Sequence, residues 1–105
     1  GYGKTADLPF PIITGQDCEV PSIKSIIAGE QTSSVFVDTR ALAKVAVDLV
    51  AQALSGAEVV VNKPEAYDNG VKKVSAMAIN AQIVDKDTYE AVLIDSGYYT
   101  ADDLK

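Results

Sequence analysis

The feature that most restricts the fold is a short β-branched run leading, within a few positions, into a capped amphipathic helix, and it occurs twice in the first 56 residues. Pro9 to Thr14 reads Pro-Phe-Pro-Ile-Ile-Thr and is closed by Gly15, which predicts a buried strand ending at a turn. Asp17, Glu19 and Pro21 then open a helix with apolar positions Val20, Ile23, Ile26 and Ile27 and a stop at Gly29. Ser33 to Val37 supplies a second strand, and Asp38 and Thr39 are N-cap candidates for a second helix from Ala41 to Leu54. In that helix Lys44, Asp48 and Gln52 recur every fourth position. Leu42, Val45, Ala46, Leu49, Val50 and Ala53 are left to bury much of the circumference, with Gly56 as the C-terminal stop.

Val59 to Asn62 is a brief β-like stretch, and Pro64 with Asp68-Asn69-Gly70 predicts a loop, because Asn and Gly tolerate positive φ. Lys72 to Val84 reads as one extended segment or two short strands with Met77, Ile79 and Ile83 as apolar positions. Asp85 to Gly97 predicts a last helix, capped by Asp85 or Asp87, with Tyr89, Val92 and Leu93 facing inward. Thr100, Asp102 and Asp103 can start one further short turn. Strands alternating with helices of about ten residues predict an α/β fold with a mainly parallel sheet. Three or four strands make a small sheet whose edges need a partner to cover them.

Composition removes several function classes. A chain of 105 residues has room for one core. A formal net charge of −6 repels phosphate backbones and anionic lipid surfaces, so nucleic acid is not an expected partner. With no histidine and the single Cys18, an internal disulfide, the usual zinc spacings and Ser-His or Cys-His nucleophile pairs are excluded. No metal, cofactor or catalytic residue is expected. No stretch approaches the roughly 18 consecutive apolar residues that span a bilayer. The chain opens on Gly1 without an initiator methionine, and we expect it to be a fragment whose N-terminal half lies elsewhere.

In open α/β sheets ligands bind beyond the carboxyl ends of the strands, which directs attention to Thr14-Gly15-Gln16-Asp17. An ionised carboxylate accepts hydrogen bonds on both oxygens, and adjacent hydroxyls of a sugar donate in a matching fork. Asp is equally among the best N-cap residues, so Asp17 has two readings on physics alone, ligand contact and helix cap, and they are compatible. Cys18 beside it reads as a small buried side chain.

Several strings in register carry a resemblance. Thr14-Gly15-Gln16-Asp17, Val20, Ser22-Ile23-Lys24, Ala28-Gly29 and Gln31 are followed by Asp38-Thr39-Arg40 and Leu42-Ala43-Lys44. Tyr67-Asp68-Asn69-Gly70-Val71-Lys72, Val84-Asp85-Lys86 and Asp95-Ser96-Gly97-Tyr98-Tyr99 complete the series. Together they resemble the C-terminal lobe of periplasmic binding proteins for xylose, glucose and multiple monosaccharides, the solute receptors of ABC importers. The resemblance covers nearly the whole chain. It implies a partial three-layer α/β/α sandwich, a fragment of a two-lobed periplasmic-binding-protein fold, in which about 38–75 belong to the other lobe. It also implies binding of a monosaccharide in an interlobe cleft, membrane permease subunits as partners, no enzymatic activity, and a periplasmic or extracellular site, lipid-anchored where the N-terminal part carries the anchor. By the resemblance Asp17 contacts the sugar, Gln16 is its nearest companion, and the position before Asp38-Thr39-Arg40, usually polar in the family, is Val37. A valine neither donates nor accepts a hydrogen bond, so the ligand lacks one hydroxyl there or another group replaces the contact. A fragment holding parts of two lobes leaves apolar helix faces open, which predicts a dimer or domain-swapped oligomer for the isolated piece.

Other signals point elsewhere or nowhere. Gly3-Lys4-Thr5 resembles the end of a phosphate-binding loop, but no glycine lies five positions earlier. Asp85-Lys86-Asp87 and Asp102-Asp103 lack the alternating oxygen-ligand spacing of a calcium loop and read as solvated helix ends. Tyr98, Tyr99 and Phe36 can stack on a pyranose, although packing near a helix end accounts for the tyrosines. The competing functions are the effector-binding core of a sugar-responsive transcription repressor, which uses the same two-lobed fold, and an enzyme on a flavodoxin-like sheet, which needs a general acid or base pair.

Overall fold

The computed structural model describes residues 8–105, so Gly3-Lys4-Thr5 lies outside the described residues. In chain order its elements are β1 (Thr14–Gln16), α1 (Val20–Ile27), β2 (Ser33–Phe36), α2 (Thr39–Leu54), β3 (Lys63–Asp68), β4 (Lys73–Ala76), β5 (Gln82–Val84) and a wide helical turn at Glu90–Ile94. They fall into two compact units, one of residues 8–36 and 81–105 and the other Val37–Asn80. The class is α/β, as the sequence predicts.

The first unit holds a sheet of order β1-β2-β5. β1 and β2 run parallel with Thr14 opposite Ser33, Gly15 opposite Ser34 and Gln16 opposite Val35. β5 is antiparallel to β2, pairing Ser34 with Val84, Val35 with Ile83 and Phe36 with Gln82, so the described sheet is mixed. Period-two alternation sends Ser34 and Phe36 of β2 inward together with Val84. Onto that face α1 lays Ile23 and Ile26, three positions apart on one helical stripe, and both are fully buried. Cys18, Leu93 and Leu104 complete the core, with Tyr89, Tyr98 and Tyr99 packed around it.

One expectation fails here, and the facing of one apolar pair is decided, for identifiable reasons. Pro9 to Thr14 is not a buried strand: pairing begins only at Thr14, and Ile12 is 82% exposed. Proline has no N–H to give a ladder, so Pro9 and Pro11 cannot be bonded at every residue. Ile83, read in the sequence as one of the apolar positions of its segment, is exposed, while its neighbour Val84 is fully buried. With side chains alternating by residue, the register Ser34 to Val84 settles which of the two faces the core.

The last helix is shorter and wider than Asp85 to Gly97. Asp85 caps the turn as predicted, its Oδ1 accepting from the N–H groups of Asp87 and Thr88 at 3.0 Å each. Helical bonding then loosens, with Asp95 N–H donating to Glu90 five residues back at 2.9 Å, and Gly97 ends it at φ 70°. A short turn follows in which the Thr100 N–H donates to Asp103 Oδ2 at 2.8 Å.

The second unit contains α2 and a two-stranded antiparallel hairpin, β3 with β4. Asp38 is the N-cap of α2, accepting from Arg40 N–H at 2.9 Å, and Gly56 follows the C-cap at φ 73°. Lys63–Asp68 forms a strand where a loop is predicted around Pro64. A two-stranded ribbon leaves one edge of β3 unpaired, so a residue without N–H is tolerated, and a bulge between Lys63 and Tyr67 carries Glu65 at φ 48°. The turn itself is as predicted: Asp68 Oδ1 accepts from Gly70 N–H at 2.8 Å, and Asn69 Oδ1 from Val71 and Lys72 at 3.0 and 2.9 Å. No residue of α2 is buried, and Val47, Val50 and Leu54 are exposed.

Candidate ligand-binding site

Parallel pairing brings the carboxyl ends of β1 and β2 side by side, and Asp17 is the first residue beyond β1. Its N–H donates to Val35 O at 2.8 Å and extends the ladder by one residue. The chain then turns sharply, with φ 78° at Asp17 and φ 52° at Cys18. The left-handed region costs a residue with a Cβ about 1–2 kcal/mol, so two in succession need compensation. Three interactions supply it. Cys18 is wholly buried in the core. Its N–H donates to Ser34 Oγ at 3.3 Å. Its carbonyl accepts from the Tyr99 hydroxyl at 3.2 Å. Each neutral hydrogen bond contributes about 0.5–1.5 kcal/mol net, and the buried thiol adds a hydrophobic contribution of the same order, enough to hold the turn.

This geometry puts Cys18 inside and Asp17 outside. Asp17 is exposed, and no hydrogen bond among the described residues engages its carboxylate. The capping reading is corrected: α1 starts at Val20, its N-cap is Glu19, and no side chain caps it. Gln16, the last residue of β1, is likewise exposed. Val37 follows the last residue of β2, is half-buried, and opens the second unit. The structure thus brings Gln16 and Asp17 to one strand end beside β2.

Gly15 and Gln31, both within the resemblance strings, are in contact. A Cβ on Gly15 would lie 2.6 Å from Gln31 Nε2. That amide is tethered at both ends, accepting from Ser22 Oγ at 3.0 Å and donating to Ser33 O at 2.9 Å. Gly15 is therefore small because a bridging side chain crosses β1, not because it closes a turn. Sequence reasoning missed Gln31, Ser34 and Tyr99 as supports of this strand end. The legible signal was Ser34, a hydroxyl two positions from Phe36 and so on the same face of the strand.

Burial pushes the Cys18 thiol above its ordinary range, against the lowering effect of the Ser34 hydrogen bond, and the nearby Asp17 charge adds to the rise. It is a core side chain rather than a nucleophile. The Arg40 guanidinium holds the Asp38 carboxyl down to about 2, in an ion pair of 2.7 Å. Among the described residues no group of three or more His, Cys, Asp or Glu is arranged to hold a metal ion, and no helix is long and apolar enough to cross a membrane.

No family model matches the chain. Over all of its 105 residues it is 53% identical to the multiple sugar-binding periplasmic receptor ChvE of Rhizobium radiobacter and 49% identical to the multiple sugar-binding periplasmic protein SbpA of Azospirillum brasilense. It spans 29% of the length of each. Among solved structures it matches an ABC transporter solute-binding protein from Clostridium phytofermentans with bound β-D-glucose. That match has TM-score 0.84 and 42% identity over 92% of this chain and 30% of that one. A carbohydrate transporter solute-binding protein from Chloroflexus aurantiacus in complex with D-glucose matches at TM-score 0.81 and 38% identity, over 88% and 26%.

An α/β sheet with exposed polar residues at the carboxyl ends of parallel strands, matched at this identity and TM-score, has the fold of part of a solute-binding protein. Within that class its whole length is similar to a segment of periplasmic monosaccharide-binding proteins.

Proposed function

We propose that this chain is part of the receptor of an ABC-type sugar importer, works in the periplasm, binds a monosaccharide between two lobes and delivers it to membrane permease subunits without chemical change. The observation that carries the reading is the Asp17 carboxylate, exposed at the carboxyl end of β1 and released from any capping duty. Such a group accepts two hydrogen bonds from vicinal hydroxyls with charge assistance. Gln16 offers an amide beside it, and Val37 offers only an apolar surface, which favours a ligand with no hydroxyl in need of a partner there. The naming of multiple-sugar and glucose-bound relatives supports the choice of ligand class.

In this reading the chain leaves one lobe after Phe36 and returns at Ala81, so Val37–Asn80 is a portion of the second lobe and the two crossings form the hinge. The apolar residues left exposed on α2 and Ile83 on the sheet are then surfaces that the remainder of the receptor covers. The isolated piece associates through them as a dimer or by exchange of the second unit.

The test is calorimetry of the complete protein carrying this segment against a panel of aldohexoses and aldopentoses, with Asp17→Ala as control. Losing charge-assisted hydrogen bonds is expected to weaken sugar binding about tenfold to a hundredfold. Unchanged affinity in Asp17→Ala removes the site assignment, and absence of binding to every monosaccharide removes the receptor reading.

A further inference from the structure

Ordinary packing does not explain why two successive residues with side chains adopt the left-handed region at the strand end where a ligand would sit. Asp17 and Cys18 do so at φ 78° and 52°, with neither position a glycine. The residues that hold the turn come from distant parts of the chain. Ser34 lies on β2 with its Oγ accepting from Cys18 N–H, and Tyr99 lies 81 residues beyond Cys18 with its hydroxyl donating to Cys18 O.

Tyr99 is itself rigidly seated. Its N–H donates at 2.9 Å to the carbonyl of Leu93, a fully buried residue. Its ring meets Tyr98 edge-on with centroids 4.9 Å apart, and Tyr98 meets Phe36, the last residue of β2, in the same manner at 4.8 Å. Burial holds the Tyr99 hydroxyl above its ordinary pKa, so it stays a donor at physiological pH.

We propose that Tyr99 and Ser34 are positioning residues for ligand binding: by clamping the carbonyl and the N–H of Cys18 they lock the strained Asp17-Cys18 turn and so aim the Asp17 carboxylate at the sugar. The proposal rests on the reading of Asp17 as a sugar contact. It implies that affinity depends on a hydroxyl that bonds not to the sugar but to the backbone of a neighbour of Asp17. Without the clamp the turn relaxes toward ordinary φ values, and binding has to restore the strained form each time, which lowers the apparent affinity by the fraction of competent molecules.

The experiment is a double-mutant cycle in the complete protein, with D-glucose as the probe, measuring Kd by calorimetry and thermal midpoint in parallel. Tyr99→Phe is expected to weaken binding about twofold to tenfold, the equivalent of one neutral hydrogen bond. In an Asp17→Ala background the same change is expected to leave the remaining affinity unaltered, because there is no carboxylate left to aim. A purely structural Tyr99 would lower the thermal midpoint and leave Kd alone, or weaken Kd equally in both backgrounds, and either result overturns the proposal. If Asp17→Ala weakens binding while Tyr99→Phe does not, the clamp fails and the site assignment survives. If Asp17→Ala itself has no effect, both fall. Ser34→Ala removes the other side of the clamp and is read the same way should Tyr99→Phe not fold.

Discussion

Replacing Gly15 by alanine should reverse sign according to what stands at position 31. In a strand interior, Gly→Ala ordinarily gains about 0.5–1 kcal/mol because the unfolded chain loses freedom and the residue has no need of unusual φ. Here the new methyl would lie 2.6 Å from Gln31 Nε2. The amide is the far end of a flexible side chain, so it can move, but moving it breaks its bonds to Ser22 Oγ and Ser33 O at 3.0 and 2.9 Å. Two part-buried neutral hydrogen bonds contribute about 1–3 kcal/mol together, which exceeds the entropic gain. Gly15→Ala is therefore expected to destabilise by about 0.5–2 kcal/mol. In a Gln31→Ala background the clash and both bonds are already gone, and the same substitution should stabilise by about 0.5–1 kcal/mol. Urea unfolding followed by circular dichroism, with the four proteins compared at constant slope, reads both values. Destabilisation of the same size in the two backgrounds would refute the steric explanation, as would stabilisation in both.

Leu93→Ala, at a fully buried position where the wide helical turn meets the core, should cost about 2–5 kcal/mol, measured as the shift in the urea midpoint; a cost below 1 kcal/mol would mean that the core does not close around this residue. Asp38 has a folded pKa of about 2, below its ordinary 3.8, so its contribution to α2 is fully present above pH 4 and is lost as the pH falls from about 4 to 2. Far-ultraviolet dichroism of the wild type should show part of its acid-induced helix loss in that window, and Asp38→Ala, expected to cost about 1 kcal/mol as a lost N-cap, should lack that component.

Much of this fold was legible because its strongest signals are local. Asp38 as a cap, Gly56 and Gly97 as stops and Asp68-Asn69-Gly70 as a turn each follow from what one or two residues do to their own backbone, and each is found in place. What was not legible depends on partners far along the chain. Ile12 and Ile13 look like strand residues, yet a strand exists only where β2 offers a mate, and β2 begins at Ser33. Ile83 and Val84 are equally apolar, and only the pairing of Ser34 with Val84 decides which turns inward. The candidate site divides in the same way. Asp17 was visible from its place after a strand and from the resemblance, but its two readings were separable only when α1 began at Val20 with Glu19 as its N-cap and left Asp17 out of the cap. Ser34, Gln31 and Tyr99 support the strand end from 14 or more positions away, at spacings that no local pattern records. The apolar side of α2 fits the same logic from the opposite direction: its sequence encodes burial, yet Leu42, Val47, Val50 and Leu54 are exposed and Val45 and Leu49 only half-buried, because a helix's apolar stripe is covered only where distant elements supply a packing partner.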